Sequence, residues 1–94
     1  MYCVYIIHSK SLDKYYLGET KDIEERLEQD NSGFYNSAFT GKAKDWSLYF
    51  NLECNSRTQA RKIEAHIKNM KSKKYIQDLK KYPDIALKLL NKFN

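Results

Sequence analysis

Two charged side chains in this 94-residue chain lie where helical periodicity favours apolar residues. Glu64 is on the flank of an apolar stripe, four residues after Ala60 and one after Ile63. A partly buried carboxylate needs a partner, which can be an arginine, a hydrogen-bond donor or a metal ion. Salt bridges to Arg26, or to Lys68 one turn further on, are therefore open alternatives to a metal ion.

Arg26 shows a similar departure in an earlier helical segment. At about 100° per residue, Arg26 and Asp30 lie close to the apolar stripe of Ile23 and Leu27 rather than opposite it. The rest of that segment is acidic, so Arg26 is its only interior cation. The simplest explanation from the pattern is an intrahelical pair with Asp30, which is worth about 0.2–0.5 kcal/mol.

Of the eight tyrosines, Tyr5, Tyr15 and Tyr16 are candidates for chemistry or packing on two short segments rich in strand-forming residues. Adjacent antiparallel strands bring the side chains of one face within reach of each other. The pattern alone favours core aromatics whose hydroxyls reach the edge of the sheet.

The elements that position these residues follow from periodicity. Residues 2–8 are apolar on both alternating faces, which is typical of a central strand, and residues 14–18 complete a hairpin with it. Alternation from Trp46 predicts a third, half-buried strand. Helices are expected to begin near Thr20, near Ser56 or Thr58, and at Pro83, and the second is expected to continue through residues 73–81.

The formal charge of +5 is unevenly distributed. Residues 1–47 carry −2 and residues 48–94 carry +7, and residues 57–81 hold nine basic side chains against two acidic ones. Such density attracts polyanions, although a solvated helix face is the open alternative.

Composition excludes several classes of protein. The apolar run at residues 4–7 is too short for a membrane span or a signal-peptide core, so we expect a cytoplasmic, single-domain protein. Cys3 and Cys54 lack the spacing of a zinc site or a disulfide framework, and we expect two reduced, partly buried thiols.

A series of short motifs runs through the chain. They read Cys3-Val4-Tyr5, Tyr16-Leu17-Gly18, Gly18-Glu19-Thr20-Lys21-Asp22-Ile23-Glu24-Glu25-Arg26, Trp46-Ser47-Leu48-Tyr49, Ala60 to Glu64, and Lys71-Ser72-Lys73-Lys74. In this order and spacing they resemble the GIY-YIG nuclease family, and most closely its small single-domain bacterial members. The resemblance covers residues 1 to about 80.

The resemblance implies an α+β fold, with a small three-stranded antiparallel sheet flanked by helices in the order β-β-α-β-α-α and a C-terminal helical extension. We accordingly expect a nuclease domain over residues 1–82 and a C-terminal helix over residues 83–94 that packs on it. The implied activity is hydrolysis of DNA phosphodiester bonds with one divalent ion, Mg²⁺ or Mn²⁺.

The resemblance also implies roles for four catalytic residues. Glu64 would be the sole protein ligand of the metal ion. Tyr5 would position or deprotonate the attacking water, and Tyr16 would orient Tyr5 or bond near the phosphate. Arg26 would stabilise the charge that develops in the transition state, and Gly18 would let the backbone pass close to the site.

The basic stretch supplies the expected DNA contacts. The residues assigned to nucleic-acid binding are Arg61, Lys71, Lys73 and Lys74. We expect DNA as the partner, no membrane association, and a monomer or weak dimer.

Asp30 is the main departure from the family pattern, which usually has a histidine four residues after the arginine. A carboxylate there would repel phosphate and could pair with Arg26 and occupy it, or could serve as an extra anion at the metal site. The departure favours an alternative in which the fold binds nucleic acid without cutting it. A third hypothesis is a basic protein-interaction module, in which the four catalytic candidates would not converge.

Overall fold

The computed structural model describes residues 2–32 and 43–94. Within these residues the chain forms one antiparallel three-stranded sheet and four helices. The elements are β1 (Tyr2–Ser9), β2 (Lys14–Thr20), α1 (Ile23–Ser32), β3 (Trp46–Cys54), α2 (Arg57–Met70), α3 (Lys73–Lys81) and α4 (Pro83–Lys92). The α+β class and the element order are as predicted, whereas the loop expected over residues 34–45 falls mostly outside the described residues.

The first strand lies at the centre of the sheet, whose order is β2-β1-β3. Its side chains are buried on both faces, as their apolar character predicts. Val4 and Ile6 face a core built with α2, α3 and α4. Tyr5 and Ile7 face a second, smaller core that includes residues of α1. The sheet therefore separates α1 from the three C-terminal helices.

A register shift in β3 changes which of its residues are buried. Ile7 pairs with Leu48 but Ile6 pairs with Phe50, so Tyr49 is an extra residue between them. The bulge places Phe50 against the larger core, while Leu48 is 43% exposed on the opposite face. The sequence prediction of one uninterrupted apolar face from Trp46 onwards is wrong for this reason.

The first helix is capped by Asp22 and not by Thr20. The Asp22 carboxylate accepts a hydrogen bond from the backbone N–H of Glu25 at 3.1 Å, which satisfies a free donor in the first turn. Thr20 acts one step earlier, since its hydroxyl accepts a bond from the Asp22 N–H at 3.2 Å. The predicted cap was therefore two residues early.

The second helix ends earlier than predicted. Lys71 has a left-handed conformation (φ 50°, ψ 40°), which stops α2 at Met70. Ser72 then caps α3 by accepting a bond from the N–H of Tyr75. The stretch predicted as one continuous helix is thus two helices joined by a sharp turn.

The C-terminal helix begins at Pro83, as predicted. Its Leu89 is buried in the same core as Val4, so α4 packs directly on the sheet-bearing part of the chain. The division into residues 1–82 and 83–94 stays a prediction. No helix in the described ranges has the length and apolar character needed to cross a membrane.

The turn between β1 and β2 is fastened to the start of β3. Ser9, which is fully buried, donates a hydrogen bond to Asp45 at 2.6 Å. Asp45 also accepts bonds from the backbone N–H and the hydroxyl of Ser11. These donors, with Ser9 first, lower the pKa of Asp45 to about 2. The hairpin is therefore held in place at the end of the sheet.

Both cysteines are buried and neither forms a disulfide, in line with the expectation of free thiols. Burial raises the pKa of each thiol. Cys54 packs in the larger core. Cys3 is two residues before Tyr5 on β1, so its side chain lies on the same face as Tyr5 and opposite to that core. The two thiols thus belong to different sides of the sheet.

Tyr5 and Gly18 are directly opposite each other on β1 and β2. The Tyr5 side chain is fully buried and lies across the glycine. A Cβ atom at position 18 would come within 2.6 Å of the Tyr5 hydroxyl oxygen and 2.8 Å of its ring carbon Cζ. Gly18 is therefore required by the tyrosine ring above it, and this contact fixes where the hydroxyl lies.

The variant Gly18→Ala is expected to lower the free energy of unfolding by about 1–3 kcal/mol, because an added methyl group overpacks this site. Urea denaturation measures the change. Tyr5→Phe removes the nearest clashing atom, so the alanine should cost less in that background, and Tyr5→Phe alone should change stability little. Wild-type stability for Gly18→Ala would contradict the packing argument.

Candidate active site

The two predicted catalytic tyrosines, Tyr5 and Tyr16, share one face of the sheet. Tyr16 is opposite Ile7 on the neighbouring strand, two residues from the Tyr5–Gly18 pair. Both tyrosines pack in the smaller core beneath α1, with Tyr5 fully buried and Tyr16 partly exposed. Among the described residues the Tyr5 hydroxyl has no hydrogen-bond partner. An unpaired buried hydroxyl is uncommon and marks the centre of the candidate site.

The guanidinium of Arg26 lies next to the carboxylate of Asp30. Arg26 Nε is 3.6 Å from Asp30 Oδ1, one helical turn along α1. Asp30 is 1% exposed, whereas a quarter of the Arg26 side chain is accessible. The expectation that Asp30 pairs with Arg26 is confirmed. The arginine therefore has a charged partner that is buried beneath it.

Glu64 lies on α2 with a side chain that is 16% exposed. Its Oε1 atom is 3.0 Å from the ammonium nitrogen of Lys68, one turn further along the helix. Of the partners that the sequence left open, Lys68 is thus an observed ion-pair partner of Glu64. More than half of the Lys68 side chain is exposed, so solvent screens this pair.

The other three predicted catalytic residues, Tyr16, Arg26 and Glu64, each affect the pKa of Tyr5. Burial raises the pKa of Tyr5 far above its ordinary value, and the positive charge of Arg26 opposes that shift. Asp30, Tyr16 and Glu64 each raise the pKa further through their charges. Residues from β2, α1 and α2 therefore lie close enough to Tyr5 to affect its hydroxyl electrostatically.

The raised pKa decides what Tyr5 can do. A phenol whose pKa lies above its usual value of about 10 stays protonated at neutral pH. Tyr5 can then donate a hydrogen bond to a water or phosphate oxygen but is poorly suited to removing a proton. Of the two roles that the sequence left open, the raised pKa of Tyr5 favours positioning over deprotonation.

Glu64 is the carboxylate that fits a divalent ion at this place. Within residues 2–32 and 43–94 no three His, Cys, Asp or Glu side chains come together as a metal cluster. An ion here would rest on one carboxylate and keep most of its waters, which suits Mg²⁺. Glu64 is partly accessible, and its contact with Lys68 is made through Oε1. The described residues give no indication that Asp30 joins such a site, since it is held by Arg26.

Of the four basic residues predicted to bind DNA, three lie at the turn between α2 and α3, and the fourth, Arg61, lies on α2 away from that turn. Lys71 and Lys73 line a groove beside β2. Lys74 is 84% exposed and lies 3.8 Å from Asp78. Arg61 lies further along α2, where its Nε is 3.8 Å from Glu19.

Arg57 also contacts Glu19, at 3.5 Å, so that carboxylate offsets part of the positive charge at this end of α2. No carboxylate is among the described residues that line the groove with Lys71 and Lys73.

Lys68 and Tyr15 line the groove although neither is predicted as a site residue from the sequence. Lys68 pairs with Glu64 and also lines the groove, and its spacing four residues from Glu64 was the available signal. Tyr15 lines the same groove from the edge strand. No local signal marks Tyr15, because the groove forms only when β2 meets the α2–α3 turn.

A family model described as the GIY-YIG catalytic domain matches residues 1–77 of the chain. The matched range contains all four predicted catalytic residues, which are Tyr5, Tyr16, Arg26 and Glu64. No curated protein and no solved structure matches the chain.

Proposed function

The chain belongs to the GIY-YIG family of nucleases, and from this premise we propose that it is a DNA endonuclease that hydrolyses phosphodiester bonds with one divalent ion, Mg²⁺ or Mn²⁺. The observation that carries the proposal is the buried Tyr5 hydroxyl, which has no partner among the described residues, shares its face of the sheet with Tyr16 and is influenced electrostatically by Arg26 and Glu64. Three separate elements supply these groups to the central strand, which is the arrangement expected of a site rather than of scattered surface charges.

Glu64 would hold the divalent ion through its carboxylate. When bound, the ion would neutralise charge on the scissile phosphate and on the leaving oxygen. Lys68 competes for the same carboxylate, but an exposed lysine pair contributes little and can be displaced. The partly accessible position of Glu64 supports this role, because a hydrated ion needs open space around it.

Tyr5 would donate a hydrogen bond that positions the attacking water or a phosphate oxygen. Its hydroxyl has no partner among the described residues, and its raised pKa keeps it protonated. Tyr16, which is two residues from Gly18 on β2, would bond near the same phosphate. Arg26 would direct its fixed fork of donors at the equatorial oxygens as negative charge develops there.

One observation favours a second function, in which the chain binds nucleic acid without cutting it. Asp30 holds Arg26 at 3.6 Å from a buried position. A guanidinium that must neutralise this carboxylate is less available to a phosphate, and the carboxylate itself repels phosphate. The two functions share the basic surface and differ in whether Arg26 can leave Asp30.

We also propose a cytoplasmic protein that acts as a monomer or weak dimer. The free, buried thiols of Cys3 and Cys54 are consistent with a reducing compartment. A site that contacts one phosphate carries no sequence information by itself, so sequence preference is not expected from these four residues.

Substitution of the candidate metal ligand tests catalysis. Glu64→Gln should lower the rate of nicking of supercoiled DNA in Mg²⁺ or Mn²⁺ by about a hundredfold or more, because an amide binds a hard cation weakly. DNA affinity measured in EDTA and the thermal transition should stay close to wild type. Glu53→Gln, at an exposed glutamate of β3, is the matched control and should cut normally. Unchanged nicking by Glu64→Gln would remove Glu64 from the mechanism.

Release of Arg26 separates the two functions. Asp30→Asn should lower the free energy of unfolding by about 1–3 kcal/mol, since it removes a buried partner of the guanidinium. DNA affinity should rise at the same time, because Arg26 loses its buried carboxylate partner and a negative charge is removed. Glu28→Gln, at an exposed glutamate of the same helix, removes an equal charge and leaves the pair of Arg26 with Asp30 in place, so it should keep stability close to wild type and raise DNA affinity less.

If wild-type protein cuts no DNA while Asp30→Asn does, the binding-only function describes the natural chain. If both fail to cut and both bind, the endonuclease proposal is wrong.

Neutralising the basic turn tests where the DNA lies. Replacing Lys71, Lys73 and Lys74 together with Gln should flatten the plot of log affinity against log salt concentration by about one unit for each phosphate that these lysines neutralise in the wild-type complex. The control replaces the exposed Lys81, Lys88 and Lys92 with Gln, which changes net charge equally. Equal slopes for the two triple variants would move the DNA path away from the α2–α3 turn.

A further inference from the structure

A groove of about 410 Å³ runs between the edge strand β2 and the turn that joins α2 to α3. Its floor is apolar and is formed by Leu17, Ile67 and Ile76. Tyr15 contributes an aromatic side chain from the strand, and the next residue, Tyr16, also lines the groove while its ring packs on the other face of the sheet. Ligand pockets in proteins span about 300–1,000 Å³. The groove is therefore large enough for a small planar group.

The aromatic wall is supported by neighbouring rings. The Tyr15 ring lies 4.7 Å from the imidazole of His8 and 5.1 Å from the ring of Tyr49, measured between centroids. Gln77 also approaches the Tyr15 hydroxyl at 3.5 Å. These contacts hold the ring in place, so a ligand that stacked on it would not have to order it first.

The rim of the groove carries four lysines, Lys14, Lys68, Lys71 and Lys73. Lys68 is paired with Glu64, and the other three add positive charge with no carboxylate among the groove-lining residues. An apolar and aromatic floor beneath a cationic rim complements a nucleotide, whose base is planar and apolar on its faces and whose phosphates are anionic.

The groove adjoins the candidate active site. Tyr16 belongs to both, and Lys68 joins the groove to Glu64. A nucleotide in the groove would consequently be a close neighbour of the phosphate at the site. A base paired within a duplex exposes only its edges, so a base can enter the groove face-on only when it is unpaired or extruded.

We propose that this groove is a subsite for one unpaired nucleobase that neighbours the scissile phosphate, with Tyr15 and Ile76 as the residues that contact its ring. The inference rests on the proposed DNA endonuclease function and adds a substrate class to it: DNA with an unpaired nucleotide beside the cut. The four lysines hold the flanking phosphates and the apolar floor holds the base.

The test compares two DNA duplexes with the same number of phosphates. One carries a single unpaired adenine, and the other carries an abasic nucleotide at that position. Fluorescence anisotropy in EDTA measures the affinity for each without cleavage. Wild-type protein should bind the adenine probe about tenfold more tightly, because only that probe supplies a base to stack on the aromatic wall.

The variant Ile76→Trp fills the groove and should reduce the tenfold preference to about one, with affinity for the abasic probe retained. Ile85→Trp is the matched control, since Ile85 is also a partly buried isoleucine of the larger core but does not line the groove. If Ile76→Trp does not fold, Tyr15→Leu replaces it with the same expected loss of preference.

Equal wild-type affinity for the two probes overturns the inference and leaves the groove to another occupant, such as an apolar peptide. An unchanged preference in folded Ile76→Trp overturns it as well. Nicking in Mg²⁺ is measured separately. Cleavage without base preference refutes only the subsite, and base preference without cleavage refutes only the endonuclease.

Discussion

The packing of Tyr5 on Gly18 is the constraint on which the rest of this site depends. Because β1 is the central strand, Tyr5 has neighbours on both sides in the sheet and α1 over its ring. Its hydroxyl can occupy the middle of the sheet only because the opposite residue has no side chain. Once the ring is fixed, Tyr16, Arg26 and Glu64 have a common reference point. A site built on strands and helices is held more precisely than one built on loops.

The charge distribution follows from how the helices flank the sheet. The acidic first helix covers the face of Tyr5, while the basic C-terminal helices cover the opposite face and border the edge strand. DNA is therefore expected to approach along the β2 edge and the α2–α3 turn, where Lys71 and Lys73 lie. The acidic helix limits that approach from the other side, and Asp30 is its buried member.

Local patterns predicted most of the fold, and nonlocal contacts account for what they missed. Burial of β1 on both faces, the Ser56 cap and the Pro83 start could all be inferred from short segments. The bulge at Tyr49 could not, because it depends on how β3 pairs with β1.

The site followed the same rule. The pairing of Arg26 with Asp30 was predictable because the two residues are four apart on one helix. The groove lined by Tyr15 and Ile76 was not, because it joins segments about 60 residues apart in the chain. The sequence does not predict the left-handed conformation of Lys71, because Gly or Asn is the usual residue at such a helix end.

Glu64 and Arg26, the two charged residues of the proposed mechanism, each pair with a residue one turn along the same helix, and the two pairs differ in strength. Glu64 pairs with an exposed lysine, and such pairs contribute about 0.3–0.5 kcal/mol, so a hydrated cation can replace Lys68 at little cost. Arg26 pairs with a carboxylate that is buried, and separating the two leaves that charge without compensation. In the proposed mechanism metal binding would therefore be the easier step, and the ability of a phosphate to draw Arg26 away from Asp30 would determine whether binding leads to cleavage.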